Sequence, residues 1–389
     1  MRYTFFLLFM IFQVFTGFAQ VSLSELIAEH KSTFTYQNQQ FSGDGWGILS
    51  EQVKSHQSVL IGEDHFYNEV PLFVAQVAKV EKFNNFFCEI DPYSADIISD
   101  KIRSLSGEQL NKYLKNISNT FSFYALKPEF DLLKQLTLDG TEIIGTDQIV
   151  LVADRLLASE LISITSNSTA KGIYADIIQK SAEHFELFMQ QKGSPYFFTE
   201  EFTANLNKLE SLQLSDLEKS IISDLKLSRK IYTTQDHYLR IQLMKNNVLQ
   251  YYDKFINGKN LFKYGGIHMN KGESQLGGYD IGNLVSNLAD GNFKSSLHIM
   301  VLGKSGMQGV PFKGMQPQTV NPDSKDLKPY EEFFDQVTSE EWILFDLKKI
   351  KQGVKKNGIA IDDSSLDNLL SGFDYLVVIP EVTAAGFMD

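Results

Sequence analysis

The chain has 389 residues, 43% of them apolar, with 30 Phe and 16 Tyr, enough to build a large packed core and to exclude a disordered chain. Its formal net charge of −12 excludes nucleic acid as the main partner, because a phosphate backbone repels an acidic surface. A single cysteine, Cys88, excludes an intramolecular disulfide; its apolar neighbours predict a buried core thiol.

Residues 1–19 read as a signal peptide. Arg2 supplies the positive start, Phe5 to Phe12 the apolar stretch, and Gly17-Phe18-Ala19 the small residues of a cleavage site before Gln20. The expected destination is the periplasm or the exterior. The apolar run is short for a membrane span, and no later stretch is long enough, so no transmembrane segment is expected in the mature chain. Cleavage removes Arg2 and makes the net charge more negative.

Residues 20–389 read as a single α/β domain. Residues 21–55 have the apolar spacing of an amphipathic helical lead-in, broken at Ser42-Gly43-Asp44-Gly45-Trp46-Gly47. Six short apolar runs then read as strands: 58–62, 85–90, 142–147, 259–265, 296–303 and 375–380. Helical patterns separate most of them, starting with Pro71 to Ala78. Residues 151–257 hold no strand pattern and read as a helical insertion, with a break at Lys192-Gly193-Ser194-Pro195. Lys348, Lys349, Lys351, Lys355 and Lys356 mark a surface helix. The predicted fold class is α/β: a mainly parallel central sheet flanked by helices, with a helical insertion at about 151–257.

In such sheets ligands bind beyond the carboxyl ends of the strands. Four predicted strands end on residues suited to catalysis: Glu63 and His65, Glu89 and Asp91, Asp147, and His268. Glu63 and His65 lie two apart after Gly62, so the carboxylate can fix the imidazole tautomer or raise its basicity. Glu89 follows Phe-Phe-Cys, where a buried carboxylate needs a partner; Arg240 could be one, and a catalytic role as base or orienter is the other reading. His268 sits in the glycine-bracketed segment Gly265-Gly266-Ile267-His268-Met269-Asn270-Lys271-Gly272, where backbone can approach a ligand closely. Gly303-Lys304-Ser305 lacks the glycine of a phosphate loop five residues earlier, where His298 stands, and it does not form a Gly-x-Ser-x-Gly elbow either. No His-Glu-x-x-His helix or cysteine cluster marks a zinc site, although two histidines and several carboxylates leave a divalent metal open. No other cofactor is expected.

The order of these motifs resembles the erythromycin esterase-like family, within a wider superfamily that includes the ChaN haem-binding lipoproteins and the TraB/Tiki-type proteins. That family shows a Gly-Glu…His turn with a later Glu, matched by Gly62, Glu63, His65 and Glu69. Its strand ending in two acids is matched by Glu89-Ile90-Asp91, and its Gly-x-Asp by Gly145-Thr146-Asp147. Its Arg…Met…Asn helix is matched by Arg240, Met244 and Asn247, its last histidine by His268, and its closing strand by Phe373 to Thr383. Two positions depart: the esterases carry one more residue between Glu and His, and a further histidine where this chain has Gly265. The resemblance implies hydrolysis of an ester, lactone or amide by a water that His65 or Glu89 activates. His268 and Arg240 would steady the oxyanion or a substrate carboxylate, Asp147 and Glu63 would orient, and Asp91 and Asn270 would face the small-molecule substrate. It also implies two alternatives: a metal-dependent hydrolase using the same residues, or a non-catalytic protein binding haem or another small ligand.

Overall fold

Ten strands form one sheet in the computed structural model, which describes residues 21–117 and 119–388. The expected signal peptide, residues 1–19, lies outside those residues. In chain order the strands are β1 (Lys31–Gln37), β2 (Gln40–Ser42), β3 (Ser58–Glu63), β4 (Asn85–Cys88), β5 (Glu142–Gly145), β6 (Asn260–Gly265), β7 (Ser296–Gln308), β8 (Gln318–Val320), β9 (Trp342–Asp346) and β10 (Tyr375–Val382). Their spatial order is β2-β1-β9-β10-β7-β3-β6-β4-β5, with β8 pairing the end of β7. From β10 to β5 every neighbouring pair is parallel. These six are the strands legible as apolar runs, and the fold is α/β as expected.

The central strands are apolar on both faces because helices cover both faces. Val59 and Ile61 of β3 belong to one core cluster and Leu60 to the other, following the two-residue period of a strand. Phe87 of β4 and Phe262 of β6 stack across the sheet at 4.5 Å. Cys88 is fully buried, and burial pushes its thiol up to about 12. Between β5 and β6 the chain makes six α-helices, Asp154–Ile164 through Tyr252–Asn257. Most of this segment has its own core, including Leu157, Tyr174, Phe202 and Ile221. The helix His237–Gln250 differs: its Met244 and Val248 pack on the sheet. Among the described residues no helix is long and apolar enough to cross a membrane.

The lead-in at 21–55 needs correction. Only Leu23–Glu29 and Asp44–Ser55 are helical, and the antiparallel hairpin of β1 and β2 lies between them. Asn38 and Gln39 both take positive φ, 50° and 63°, as a tight two-residue hairpin turn requires. The hairpin is held because β1 pairs β9, and because Phe34 and Phe41 pack on Trp342 with Trp46 against Phe41. That partner lies three hundred residues away, beyond the reach of a local pattern.

Strand order reverses at β3. The chain leaves it for β4 and β5 on one side, returns to place β6 between β3 and β4, then adds β7 on the other side. This is where a parallel sheet opens a crevice at its carboxyl end.

Candidate active site

His65 follows β3 directly. Its Nδ1 lies 2.8 Å from Glu63 Oε1, which makes Nδ1 the protonated nitrogen of the neutral ring and turns Nε2 to the cleft. The ring stacks on Phe123 at 4.2 Å, and its side chain remains 23% exposed. The turn is anchored from behind. Phe66 has φ of 76°, and its carbonyl accepts from the amides of Gly309 and Ala385. The Gln308 side-chain amide donates to the His65 carbonyl at 3.0 Å. A strained, multiply tied backbone is common where a side chain must be held in place.

Glu63 is itself bound from beneath. Lys263, on the neighbouring strand β6, donates to Glu63 Oε1 at 2.6 Å and to Glu129 Oε1 at 2.7 Å, and all three side chains are buried. Burial pushes the Glu63 carboxyl up, but the Lys263 charge and the His65 hydrogen bond outweigh it and hold it below its ordinary value. Glu129 is the weaker partner: burial pushes it up to about 7, and its Oε2 has no hydrogen-bond partner.

Glu89 leaves β4 into the same crevice. Its Oε2 accepts from the Gly265 amide at 2.8 Å, and its Oε1 accepts from Arg240 Nη2 at 2.6 Å. Burial would raise its pKa, but His65, His268 and Arg240 together lower it to about 2. The Arg240 partnership expected from sequence is present. Arg240 also grips Asp147, Nε to Oδ1 at 2.9 Å and Nη2 to Oδ2 at 2.6 Å. It stands in the first turn of the helix His237–Gln250, with Met244 and Asn247 on the same face. Met244 is core, and Asn247 donates to the Thr146 carbonyl at 2.8 Å, which ties the helix to the end of β5.

His268 lies in a short turn after β6, fully enclosed. Its Nδ1 is 2.8 Å from Asp280 Oδ2, and its Nε2 is 3.5 Å from Arg240 Nη1. The two histidines flank one carboxylate: His65 Nε2 is 3.5 Å from Glu89 Oε2, and His268 Nε2 is 3.6 Å from Glu89 Oε1. Both separations exceed a good direct hydrogen bond. For His65, burial lowers the pKa, but Glu89 and Glu63 outweigh it and raise it above the ordinary imidazole value.

Two expected residues sit differently. Asp91 caps the helix Pro92–Ser104, its Oδ1 accepting from the Ser94 amide at 2.8 Å. Its Oδ2 is buried without a partner, and burial pushes the carboxyl up to about 6. Asp91 does line the cleft of about 350 Å³ that His65, Glu89, Asp147 and Arg240 share. Asn270 does not: its amide donates to the Asn368 carbonyl and its oxygen accepts from the Gly272 amide, and it lines a different cavity. Glu69 holds the closing strand, receiving the Thr383 amide and hydroxyl.

Sequence reasoning missed Lys263, Glu129 and Asp280. The signal for Lys263 was there: a lysine inside Leu-Phe-Lys-Tyr, a strand buried on both faces, demands buried carboxylates. Gly265 is required by close approach. A Cβ there would stand 2.9 Å from His65 Nε2 and 3.6 Å from Glu89 Oε2, so the ring fits only beside glycine.

The donor set does not fit a divalent ion. Arg240 already fills the space between Glu89 and Asp147, and among the described residues no three His, Cys, Asp or Glu side chains converge as ligands. It does not fit haem ligation either, since both free imidazole nitrogens face the Glu89 carboxylate.

Neither a protein-family model nor a curated protein matches the chain. Solved structures do. A succinoglycan biosynthesis protein aligns with TM-score 0.59 at 16% identity, over 95% of this chain and 99% of that one. A Bacillus cereus protein aligns at 0.54 and 16%, over 94% and 98%. A histidine-to-asparagine mutant of the erythromycin esterase EreC, in its open conformation, aligns at 0.56 and 18%, over 92% and 99%. The haem-binding ChaN of Campylobacter jejuni aligns at 0.30, too low to establish a shared fold. Over nearly its whole length, then, this chain has the erythromycin esterase-like fold.

Proposed function

We propose that this chain is an exported hydrolase that cleaves an ester, lactone or amide with a water activated by His65. One observation carries the reading: His65 and His268 meet at Glu89, at 3.5 and 3.6 Å, and His65 and Glu89 line an open cleft. Glu63, kept ionised by Lys263, orients the ring through Nδ1. Nε2 then takes a proton from water as the water oxygen attacks the carbonyl carbon. The displaced carbonyl electron pair moves to oxygen, beside Arg240, whose Nη1 is used by neither carboxylate. His268, oriented by Asp280, stands next to it. The imidazolium of His65, stabilised between Glu63 and Glu89, returns its proton to the leaving group. This chemistry needs no serine or cysteine nucleophile.

The test is turnover on a panel of small esters, lactones and amides. His65→Ala should lower kcat/KM by roughly a hundredfold or more on any substrate found, with circular dichroism and thermal midpoint unchanged. An unchanged rate would refute the mechanism. Export rests on the sequence of residues 1–19. The protein recovered from outside the cytoplasm should begin at Gln20 by mass spectrometry; an intact N-terminus there would refute cleavage.

A further inference from the structure

The turn after β3 faces two cavities. His65 lines the catalytic cleft, whereas Asp64 lines a second cavity of about 420 Å³, between the turn, the ends of β6 and β7, and the loop 321–330. Among the described residues, the charged ones of this second lining are Asp64 and Asp326, with no lysine, arginine or histidine. Asp64 is partly enclosed and makes no hydrogen bond or ion pair with any described residue, and Asp326 is exposed at the rim. A partly desolvated carboxylate without a partner is steadied by a cation beside it. Burial pushes Asp64 up to about 6; the neighbouring His65 opposes the rise, and Glu63 and Asp326 add to it.

A second, independent observation comes from Tyr67. Its side chain is 2% exposed and lines the cavity, and its hydroxyl makes no hydrogen bond with a described residue. Asp64 is the charge that acts most strongly on that hydroxyl, and also on the hydroxyl of Tyr330 across the cavity. Two phenols and one carboxylate therefore converge. Gln275 reaches the Tyr330 hydroxyl at 3.4 Å, and Gln308 lines the wall. Among the described residues no three acidic or imidazole donors meet there as a metal cluster. An organic ammonium fits better: it needs one or two carboxylates, tolerates tyrosine faces, and its polar body can use the amides and hydroxyls.

We propose that the cavity between Asp64, Tyr67, Tyr330 and Asp326 is a second binding site, for a small polar molecule carrying a protonated primary amine. The site is separate from the hydrolytic cleft and does not depend on its chemistry.

Calorimetric titration of the whole protein with glucosamine at pH 7.5 tests it, with glucose as the neutral control. Saturable one-to-one binding of glucosamine is expected, with glucose at least about tenfold weaker. Asp64→Asn and, from a different loop, Asp326→Asn should each weaken glucosamine binding, the first by about tenfold or more, and Tyr67→Phe should weaken it less. Asp147→Asn, which removes a carboxylate of the hydrolytic cleft and does not line this cavity, should bind glucosamine as the parent does, which separates this site from the hydrolytic one. Equal binding of glucose, absence of glucosamine binding, or an unaffected Asp64→Asn would overturn the proposal. Displacement of glucosamine by calcium chloride would overturn the ammonium assignment in favour of a metal site.

Discussion

At the scale of single residues, the candidate catalytic histidine is controlled by a group it never touches. Lys263 does not contact the His65 ring, yet it keeps Glu63 ionised, and Glu63 sets which imidazole nitrogen carries the proton. Removing it leaves Glu63 and Glu129 buried with no cation between them. Lys263→Met should therefore cost about 3–5 kcal/mol of stability, read as a lowered urea midpoint. Adding Glu129→Gln should recover part of that loss, because one buried charge disappears with it. A cost under about 1 kcal/mol for the single variant would mean that the cluster is not ionised as drawn. Glu89 is the other control. It is the charge that most strongly raises the His65 pKa. A general base works only when deprotonated, so kcat/KM should rise with pH through an apparent pKa above the ordinary imidazole value. Glu89→Gln should move that acid limb to lower pH. A limb that stays in place would remove Glu89 from contact with the base.

At the scale of elements, what could be read from the sequence depended on burial and on range. The six parallel strands are apolar on both faces, and they stand out as uninterrupted runs. The strand-end residues Glu63, His65, Glu89, Asp147 and His268 follow from them, because a parallel sheet gathers its carboxyl ends. The antiparallel edge was hidden. β1 alternates Thr, Phe, Thr, Tyr with only Phe34 buried, and its status as a strand is settled by β9. β9 in turn is settled by β10. Asp280 was hidden for a similar reason: it caps the helix Ile281–Gly291 and reaches back twelve residues to His268, a contact made by the path of the loop and not by any spacing. The Arg…Met…Asn spacing was legible as a face of a helix, but its purpose appears only in three dimensions. Met244 and Asn247 seat that helix on the sheet so that Arg240 can bridge Glu89 and Asp147.

At the scale of the whole molecule, the buried titratable groups divide by sign. Asp64, Asp91 and Asp154 are raised by burial to about 6, and Glu129 to about 7. A carboxyl raised in the folded state favours folding while it is protonated, so each of these erodes stability as pH climbs from its ordinary value to its folded one. His65 acts in the same direction: its raised pKa contributes stability that is complete below the ordinary imidazole value and lost as pH rises through the folded value. The acidic net charge of −12 adds self-repulsion as pH rises. Opposing them, Glu63 is lowered and Glu89 is lowered to about 2, and their contribution is present above the ordinary carboxyl value and lost as pH falls toward 2. The lowered pair is fully in place by about pH 4.5 and the raised carboxyls begin to erode stability at about pH 4, so the two sets balance near about pH 4 to 4.5. The urea midpoint should peak there, decline toward pH 8 and fall again below about pH 4. Glu129→Gln should flatten the alkaline decline, since it removes the group that titrates latest among the raised carboxyls. A midpoint that instead rises steadily from pH 5 to pH 8 would show that these carboxyls are not desolvated in the folded protein, and that the buried Lys263 cluster is open to water.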